Sequence, residues 1–327
     1  MRERSPLLQT HNLVVGYGIA TRRTILFEPL KLSLYPGEMI CFMGPNGAGK
    51  SSLLRTLAGL QKPLEGKVMV RGASDDGHRS RQISVVLTER IAAPQLTVSE
   101  VITFGRYPYL KWNLQLTPGD RASVEAAISR VRLESLVDRK IHTLSDGQMQ
   151  MVMIARALAQ DTPIILLDEP TTHLDLNNRL EVMNLLRSLA HDSGKAILLT
   201  THDLDLALQT ADKIWLAEPG HRVLTGWPED LVLDGSFDAI FQMKGFDLKT
   251  GKVQHTPFRE TVVQLLGEGP SWWWTKNALE RHGYSVSRES AEIAITVIQH
   301  EGFPKWKLRS GNLETEVSSI EMLIENL

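Results

Sequence analysis

The chain has 327 residues, of which 42% are hydrophobic, and a formal net charge of −2. This length favours one large domain plus a smaller one, and the near-neutral charge gives no electrostatic basis for nucleic-acid binding. No run approaches the roughly 20 apolar residues that a membrane-spanning helix needs. We therefore expect a soluble, cytosolic chain that reaches a membrane only through another protein. The single cysteine, Cys41, lies in an apolar run, which predicts a buried and inert thiol.

An apolar run over Met39–Met43 predicts a strand, and a glycine-rich segment follows it directly. That segment matches the pattern G-x-x-x-x-G-K-S/T at every fixed position. Glycines let several backbone N–H groups point at one phosphate, the lysine adds a positive charge, and the serine hydroxyl suits Mg²⁺. A helix beginning near Ser52 adds its N-terminal partial charge. The predicted phosphate-binding residues are Gly44, Pro45, Asn46, Gly47, Ala48, Gly49, Lys50, Ser51 and Ser52.

Between about residue 90 and residue 155 the pattern becomes helical, which predicts an inserted helical subdomain. Near its end, Ser145 and Gln148 have the spacing of a capping box, at the start of a helix over Met149–Ala159. A helix N-terminus with a serine hydroxyl and a glycine N–H, here Gly147, also suits an anion. From these residues alone, a purely structural cap and a phosphate contact both remain open.

Two later runs, Ile164–Leu167 and Ala196–Leu199, are apolar on both faces, as buried parallel strands are. Asp168 and Glu169 follow the first run, and His202 follows the second. Ligands of parallel sheets bind where the strands' carboxyl ends meet. There Asp168 can hold Mg²⁺, and Glu169 can orient or deprotonate an attacking water. A lone histidine at a strand end is more often structural, but beside these groups His202 is a candidate contact for phosphate or water.

A change of composition near residue 245 divides a first domain over residues 1–245 from a small α/β domain over residues 246–327. The tail pattern predicts strands over 261–266 and 293–298, a helix over 272–282 and a last helix from residue 318. Gly267-Glu268-Gly269 hints at a nucleotide loop, but Trp272 replaces the third glycine and a tight turn is favoured. The three tryptophans 272–274 cannot all face one way on a helix. A regulatory or dimer-stabilising role is expected for the tail.

The order of these parts resembles the ATP-binding cassette (ABC) family over about residues 7–245. GPNGAGKS is similar to its Walker A loop, ILLDEP to its Walker B strand and LSDGQ to its LSGGQ signature, while His202 falls at its switch histidine. The resemblance implies an ATPase that uses ATP and Mg²⁺. It also implies a P-loop NTPase cassette fold, with a mostly parallel core sheet, an antiparallel β part and the helical subdomain.

In that family two cassettes stack head to tail and enclose two ATP molecules. The resemblance thus implies that a second copy of this chain is needed, and that the signature contacts the partner's ATP. Asp175 resembles the aspartate that links the two sites, and Tyr17 falls where an aromatic ring stacks on adenine. The implied signature contacts are Ser145, Asp146, Gly147 and Gln148.

The chain departs from the family's pattern at two places. Asp146 stands where the family usually has glycine, which costs little because the serine hydroxyl and the second glycine make the phosphate contact. After the strand ending at Leu87, the family has a glutamine that reaches Mg²⁺, whereas this chain has Thr88-Glu89-Arg90. We align Glu89 with that glutamine, as a third Mg²⁺ ligand beside Ser51 and Asp168, although Gln95 is an alternative.

The segments 105–109, 159–163 and 202–207 are similar to the importer branch that moves ferric siderophores, haem and cobalamin. This implies an ATP-hydrolysing subunit at the cytoplasmic side of the inner membrane, bound peripherally to polytopic permease subunits. A substrate-binding protein would act with the permease, and no nucleic acid is involved. The alternatives are an exporter cassette and a soluble ABC ATPase without a transport role. The single cassette and the lack of a heptad run argue against the soluble alternative.

Overall fold

The computed structural model of the chain describes residues 5–19, 22–73, 79–88, 94–218, 220–241, 246–247, 252–253, 257–298, 304–311 and 313–327. The chain divides into two compact units, Met1–Gln242 and Met243–Leu327. Each unit has a hydrophobic core of its own.

Within its described residues, the first unit contains β1 (Leu8–Ile19), β2 (Arg22–Leu30), β3 (Ser33–Leu34), β4 (Met39–Met43), β5 (Glu65–Val70), β6 (Ile83–Val86), β7 (Ile164–Leu167), β8 (Ala196–Thr200), β9 (Lys213–Glu218) and β10 (Arg222–Gly226). Six of these strands form one sheet in the order β10-β9-β4-β8-β7-β6, and only the β9–β10 pair is antiparallel. β1 pairs antiparallel with β2, β3 and β5 in a second sheet. The predicted combination of a mostly parallel core and an antiparallel part is confirmed.

The central strands of the larger sheet are apolar because both of their faces are covered. Every residue of β4, β7 and β8 is buried. Phe42 lies against Phe27 and Trp215, with ring centroids 6.0 and 6.3 Å apart, inside the core between the two sheets. The predicted strands 39–43 and 164–167 are confirmed to the residue, and the third, β8, extends to Thr200. Cys41 is buried as predicted, and burial raises the pKa of its thiol far above the ordinary value.

The described helices of this unit are α1 (Lys50–Ala58), α2 (Val98–Thr103), α3 (Pro118–Arg130), α4 (Asp146–Ala159), α5 (Leu176–Ser193), α6 (Leu204–Thr210), α7 (Pro228–Leu233) and α8 (Ser236–Phe241). The predicted helical subdomain contains α2, α3 and α4, joined by 3₁₀ turns at Phe104–Tyr109, Glu134–Leu136 and Ile141–Thr143. Each of its three α-helices begins with a capping box. In the part of the chain that is described, no helix combines the length and apolar composition required to cross a bilayer.

A buried ion pair ties the helices of this subdomain together. Nε of Arg106 lies 2.8 Å from Oδ1 of Asp120, and a second guanidinium nitrogen donates to the carbonyl of Ala159, also at 2.8 Å. The hydroxyl and the N–H of Thr117 donate to the other carboxylate oxygen at 2.6 and 2.9 Å. The pKa of Asp120 lies below its ordinary value, mainly because Thr117 donates hydrogen bonds to the carboxylate. The hydrogen bond and the positive charge of Arg106 make a smaller contribution in the same direction. Asp120 therefore joins the start of α3 to the 3₁₀ turn, and Arg106 joins that turn to the end of α4.

The described part of the second unit contains β11 (Phe246–Asp247), β12 (Lys252–Val253), β13 (Val262–Leu266), α9 (Gly269–Arg281), β14 (Ser285–Ser287), β15 (Ile293–Ile298), β16 (Lys305–Ser310), β17 (Leu313–Val317) and α10 (Ile320–Glu325). β11 pairs with β12, and the other five strands form a sheet in the order β14-β13-β15-β16-β17. The predicted small α/β fold is confirmed, with both predicted strands and both predicted helices. The prediction missed β11, β12, β14, β16 and β17.

The glycines before α9 form a tight turn, as favoured from the sequence. Gly267 and Gly269 have φ angles of 126° and 80°. A Cβ at Gly267 would lie 3.0 Å from the Cβ of Val297, so close packing explains this glycine. The tryptophans diverge as predicted: Trp272 is buried, whereas Trp273 and Trp274 are 45% and 68% exposed.

We predict that Asp120→Ala destabilises the protein by about 3 kcal/mol at neutral pH, because it leaves Arg106 buried without its counter-charge. Urea denaturation measures the loss. Because the folded-state pKa of Asp120 is depressed, its contribution is present at neutral pH and is lost as the pH falls through that pKa. The difference between variant and wild type should therefore shrink in acid. The control is Glu125→Ala, an exposed site on the same helix. Equal stability of the two variants would contradict this account.

Candidate functional site

The carboxyl ends of β4, β8 and β7 lie side by side, because these strands are parallel neighbours in that order. Predicted residues that are far apart in the sequence therefore meet at one edge of the sheet. An open cavity at this edge is lined by Tyr17, Leu26, Asn46, Gly47, Gly49, Lys50, Ser51, Ser52, Glu169 and His202. The structure thus brings together the predicted aromatic residue, the phosphate loop, the second carboxylate and the histidine.

The loop after β4 is wrapped around its own lysine. Nζ of Lys50 donates to the carbonyl oxygens of Gly44 and Pro45 at 2.8 and 2.9 Å. Burial lowers the pKa of Lys50 from its ordinary value, while the charges of Glu169 and Asp168 act in the opposite direction. A buried cation bound to neutral carbonyls can gain by exchanging them for phosphate oxygens, because hydrogen bonds between charged partners are stronger.

Asp168 is buried and accepts hydrogen bonds from three hydroxyl groups. Its Oδ1 accepts from Ser51 Oγ at 3.0 Å and from Thr200 Oγ1 at 2.8 Å, and its Oδ2 accepts from Thr88 Oγ1 at 3.4 Å. A serine hydroxyl directly beside a carboxylate is a donor set of hard oxygens, which fits Mg²⁺. Because Mg²⁺ usually keeps water and phosphate ligands, two protein oxygens suffice. The third predicted ligand, Glu89, lies outside the described residues.

Glu169 has an unusual backbone conformation and a closely held side chain. Its φ angle is 50°, in the left-handed region, and its N–H donates to Thr200 Oγ1 at 2.8 Å. Its Oε1 lies 2.6 Å from Nε2 of His202, and its Oε2 accepts from Thr172 Oγ1 at 3.1 Å. A carboxylate at this position can accept a proton from water, with the imidazole beside it.

Thr200, Thr172 and Thr88 were not predicted as site residues. The sequence signal for Thr200 is a hydroxyl residue at the end of an otherwise apolar strand, Ala196–Leu199. Nothing in the sequence shows that it faces β7, because that depends on the pairing of β7 with β8.

Tyr17 lies in β1 at the rim of the cavity. Its side chain is 52% exposed, and its hydroxyl makes a short contact with Oγ of Ser52 in the phosphate loop. An exposed ring beside this loop has a flat face available for a purine. Adenine stacking on Tyr17 stays a prediction.

The predicted capping box at Ser145 is confirmed. Oγ of Ser145 accepts from the N–H of Gln148 at 3.2 Å, and the N–H of Ser145 donates to Oε1 of Gln148 at 3.1 Å. Helix α4 begins at Asp146, three residues before the predicted start. Among the described residues that line the phosphate-loop cavity, none belongs to this cap. The cap is therefore not part of that cavity.

Asp175 also acts as a helix cap, since its side chain accepts from the N–H of Asn178 at 2.8 Å at the start of α5. A Cβ on Gly147 would lie 3.0 Å from the Asn178 side chain, so the signature cap lies beside this helix start. A second cleft is lined by residues that include Asp146 of the cap and both Asp168 and Glu169. The signature segment and the two carboxylates at the end of β7 therefore line one cleft within the same chain.

We predict that Gly44→Ala weakens ATP binding about tenfold, because the new Cβ would lie 2.7 Å from the Cβ of Ala217 at a φ angle of 148°. Calorimetric titration with ATP measures this effect. The control is Gly194→Ala, which has a positive φ of 64°, lies at the end of α5 and meets no atom within 4 Å. It should cost about 1 kcal/mol of stability and leave ATP binding unchanged. Equal ATP affinity of the Gly44 variant and wild type would show that the loop tolerates the methyl group.

Comparison with known protein families gives two matches along the chain. The ABC transporter family matches residues 27–172, and the iron ABC transporter C-terminal domain matches residues 259–327. The petrobactin import ATP-binding protein FpuD of Bacillus anthracis is 37% identical over 241 residues, which cover 72% of this chain and 87% of that protein. The cobalamin import ATP-binding protein BtuD of Halobacterium salinarum is 33% identical over 290 residues, which cover 84% of this chain and 72% of that protein.

Solved structures agree with these sequence relatives. A chain of an inward-facing ABC transporter, described as of the metal-chelate type, matches with a TM-score of 0.65 at 28% identity, covering 73% of this chain and 90% of its own. A dimeric ATP-binding cassette in a post-hydrolysis state, bound to ADP and Pi, matches with a TM-score of 0.59 at 29% identity. That match covers 68% of this chain and 98% of the cassette.

Proposed function

This chain belongs to the family of ABC transporter ATP-binding proteins, and from that premise we propose that it hydrolyses ATP to power the import of an iron siderophore, haem or cobalamin-type substrate. The observation that carries the ATPase is the convergence of the phosphate loop, Glu169 and His202 on one cavity. The import direction and the class of substrate are supported by the iron-transporter match over residues 259–327 and by the named import relatives.

The proposed roles follow from the positions of the side chains. Lys50 and the N–H groups of the loop bind the phosphates, and Tyr17 stacks on the base. Ser51 and Asp168 hold Mg²⁺, which when bound supplies positive charge next to the phosphate oxygens. Glu169 orients the water and accepts its proton as the water oxygen attacks the terminal phosphorus and the bond to the leaving phosphate breaks. His202, whose Nε2 lies 2.6 Å from Glu169, contacts the terminal phosphate or that water.

We propose that each site is completed by a second copy of this chain. The cap formed by residues 145–148 presents a helix N-terminus outside the chain's own phosphate-loop cavity. Such a terminus suits an anion, and here that anion would be the ATP held by the partner. The dimeric state of the similar ADP-bound cassette supports this arrangement. Asp175, at the start of α5, would then transmit changes between the two sites.

ABC cassettes of importers act on membrane permease subunits, and we propose the same for this chain, together with a substrate-binding protein that delivers the substrate. The chain would be peripheral to the inner membrane, on its cytoplasmic side. Glu89 would take the position of the loop glutamine and reach Mg²⁺ and the permease. Its neighbour Thr88 donates to Asp168, which supports a role for this segment at the metal site.

We predict that Glu169→Gln lowers steady-state ATP hydrolysis by about 100-fold or more, because the amide cannot accept the proton of the attacking water. Affinity for ATP should stay within about threefold of wild type, since Glu169 is not a proposed phosphate ligand. Phosphate release and calorimetric titration measure the two quantities on the purified chain. Near-normal turnover would remove Glu169 from the proposed role.

A transport assay of the same variant uses cells that lack the chromosomal copy of this gene. Expression of the wild-type chain should restore uptake of a radioactive ferric siderophore, haem or cobalamin, and Glu169→Gln should not. The wild-type chain should also co-purify with a polytopic membrane protein. Restoration of export alone, or co-purification with ribosomes alone, would contradict the importer.

A further inference from the structure

Thr200 is the last residue of β8, and its side chain is fully buried. Its hydroxyl makes two hydrogen bonds, and both reach residues at the end of β7. It accepts from the N–H of Glu169 at 2.8 Å and donates to Oδ1 of Asp168 at 2.8 Å. One hydroxyl group therefore contacts both acidic residues that the proposed reaction uses.

Both acidic residues need an external partner to keep their positions. The left-handed backbone of Glu169, with φ of 50°, costs free energy in any residue other than glycine, so neighbouring contacts must hold it. The hydrogen bond to its N–H is a contact of this kind. Oδ1 of Asp168 is shared between Thr200 and Ser51. When the Ser51 hydroxyl turns towards a ligand, the bond from Thr200 still fixes the carboxylate.

The hydroxyl of Thr200 is not needed to form the strand. The rest of β8 is Ala196–Leu199, all buried and apolar, and valine has the same shape as threonine and favours strands. Burying a hydroxyl is unfavourable unless its hydrogen-bonding capacity is satisfied. The Thr200 hydroxyl uses both its hydrogen and one lone pair, and its two partners are Asp168 and Glu169 of the site.

We infer that Thr200 is a positioning residue for ATP hydrolysis, which holds the backbone of Glu169 and the carboxylate of Asp168 in the orientations that the reaction requires. The inference rests on the proposed ATPase function and adds a residue to it. Thr200 acts through its two neighbours and is not itself a catalytic group.

The test compares Thr200→Val, Thr200→Ser and Thr162→Val in the full-length chain. Thr162 is the matched control: it is buried beside the opposite end of β7, and its hydroxyl donates to the carbonyl of Ile164 at 2.8 Å and shares a hydrogen bond with the Ser84 hydroxyl at 2.9 Å. We expect Thr200→Val to lower kcat about tenfold with KM for ATP nearly unchanged, since only the geometry of the reacting groups is altered. Thr200→Ser, which keeps the hydroxyl, should recover most of kcat.

A second readout does not depend on turnover. The ratio of the Kd for AMP-PNP in EDTA to its Kd in Mg²⁺ reports how well Asp168 is oriented. This ratio should fall about fivefold in Thr200→Val, because the carboxylate loses a fixed partner. It should stay at the wild-type value in Thr162→Val and in Thr200→Ser. Thermal unfolding of the three variants measures the stability lost when a buried hydroxyl is removed, which is expected for the two valine variants and not for Thr200→Ser.

The inference is overturned if Thr200→Val and Thr162→Val lose the same amount of kcat, or if Thr200→Ser does not recover. It is also overturned if the metal-dependent Kd ratio of Thr200→Val equals that of wild type. The wild-type chain is the reference for the proposed function. If it does not hydrolyse MgATP, the ATPase proposal has failed, and that failure is not specific to Thr200.

Discussion

The pairing of three parallel strands in the order β4-β8-β7 is the constraint on which the site depends. β8 lies between the strand that carries the phosphate loop and the strand that carries Asp168 and Glu169. Hydrogen bonding along these strands places their carboxyl ends at one level, so residues more than a hundred positions apart come into contact. Ser51 and Asp168 illustrate this, with 3.0 Å between the hydroxyl and the carboxylate. Every residue of the three strands is buried, so the covered faces of the sheet hold these strand ends in place.

The electrostatic balance of the site follows from the same placement. Lys50 is buried, and burial alone disfavours its charge. The two acidic residues at the end of β7 act in the opposite direction and help to keep the lysine charged. Under the proposed function, a nucleoside triphosphate would bring negative charge to Lys50, and Mg²⁺ would bring positive charge to Asp168. Both residues would then exchange their protein partners for the ligand's charges.

Much of this organisation could be predicted from the sequence, because the information is local. The spacing from Gly44 to Ser51, the capping box at Ser145 and the apolar runs over 39–43 and 164–167 each depend on neighbouring residues. The bonds of Thr200 could not be predicted, because they depend on the register between β7 and β8.

Within the described part of the tail, five strands were missed for different reasons, and β11 and β12 have only two residues each. β16 has the alternating pattern of a half-buried strand, with Trp306 and Leu308 buried, so its signal was present. β17 has only Val317 buried, and β14 has three half-buried residues. These two are strands mainly because of their neighbours: β14 pairs with β13, and Lys305 and Lys307 of β16 form ion pairs with glutamates of β17.

We propose that one ATP site combines the phosphate loop of one copy with the signature cap of another. The direct measurement mixes a Lys50→Ala variant, which lacks the loop lysine, with a Ser145→Arg variant, whose cap is blocked, after thermal unfolding has shown that both are folded. Each variant alone should be inactive. The mixture should recover about a quarter of wild-type ATP hydrolysis, because half of the dimers are mixed and each mixed dimer has one intact site. A rate no greater than the sum of the separate variants would contradict the shared site.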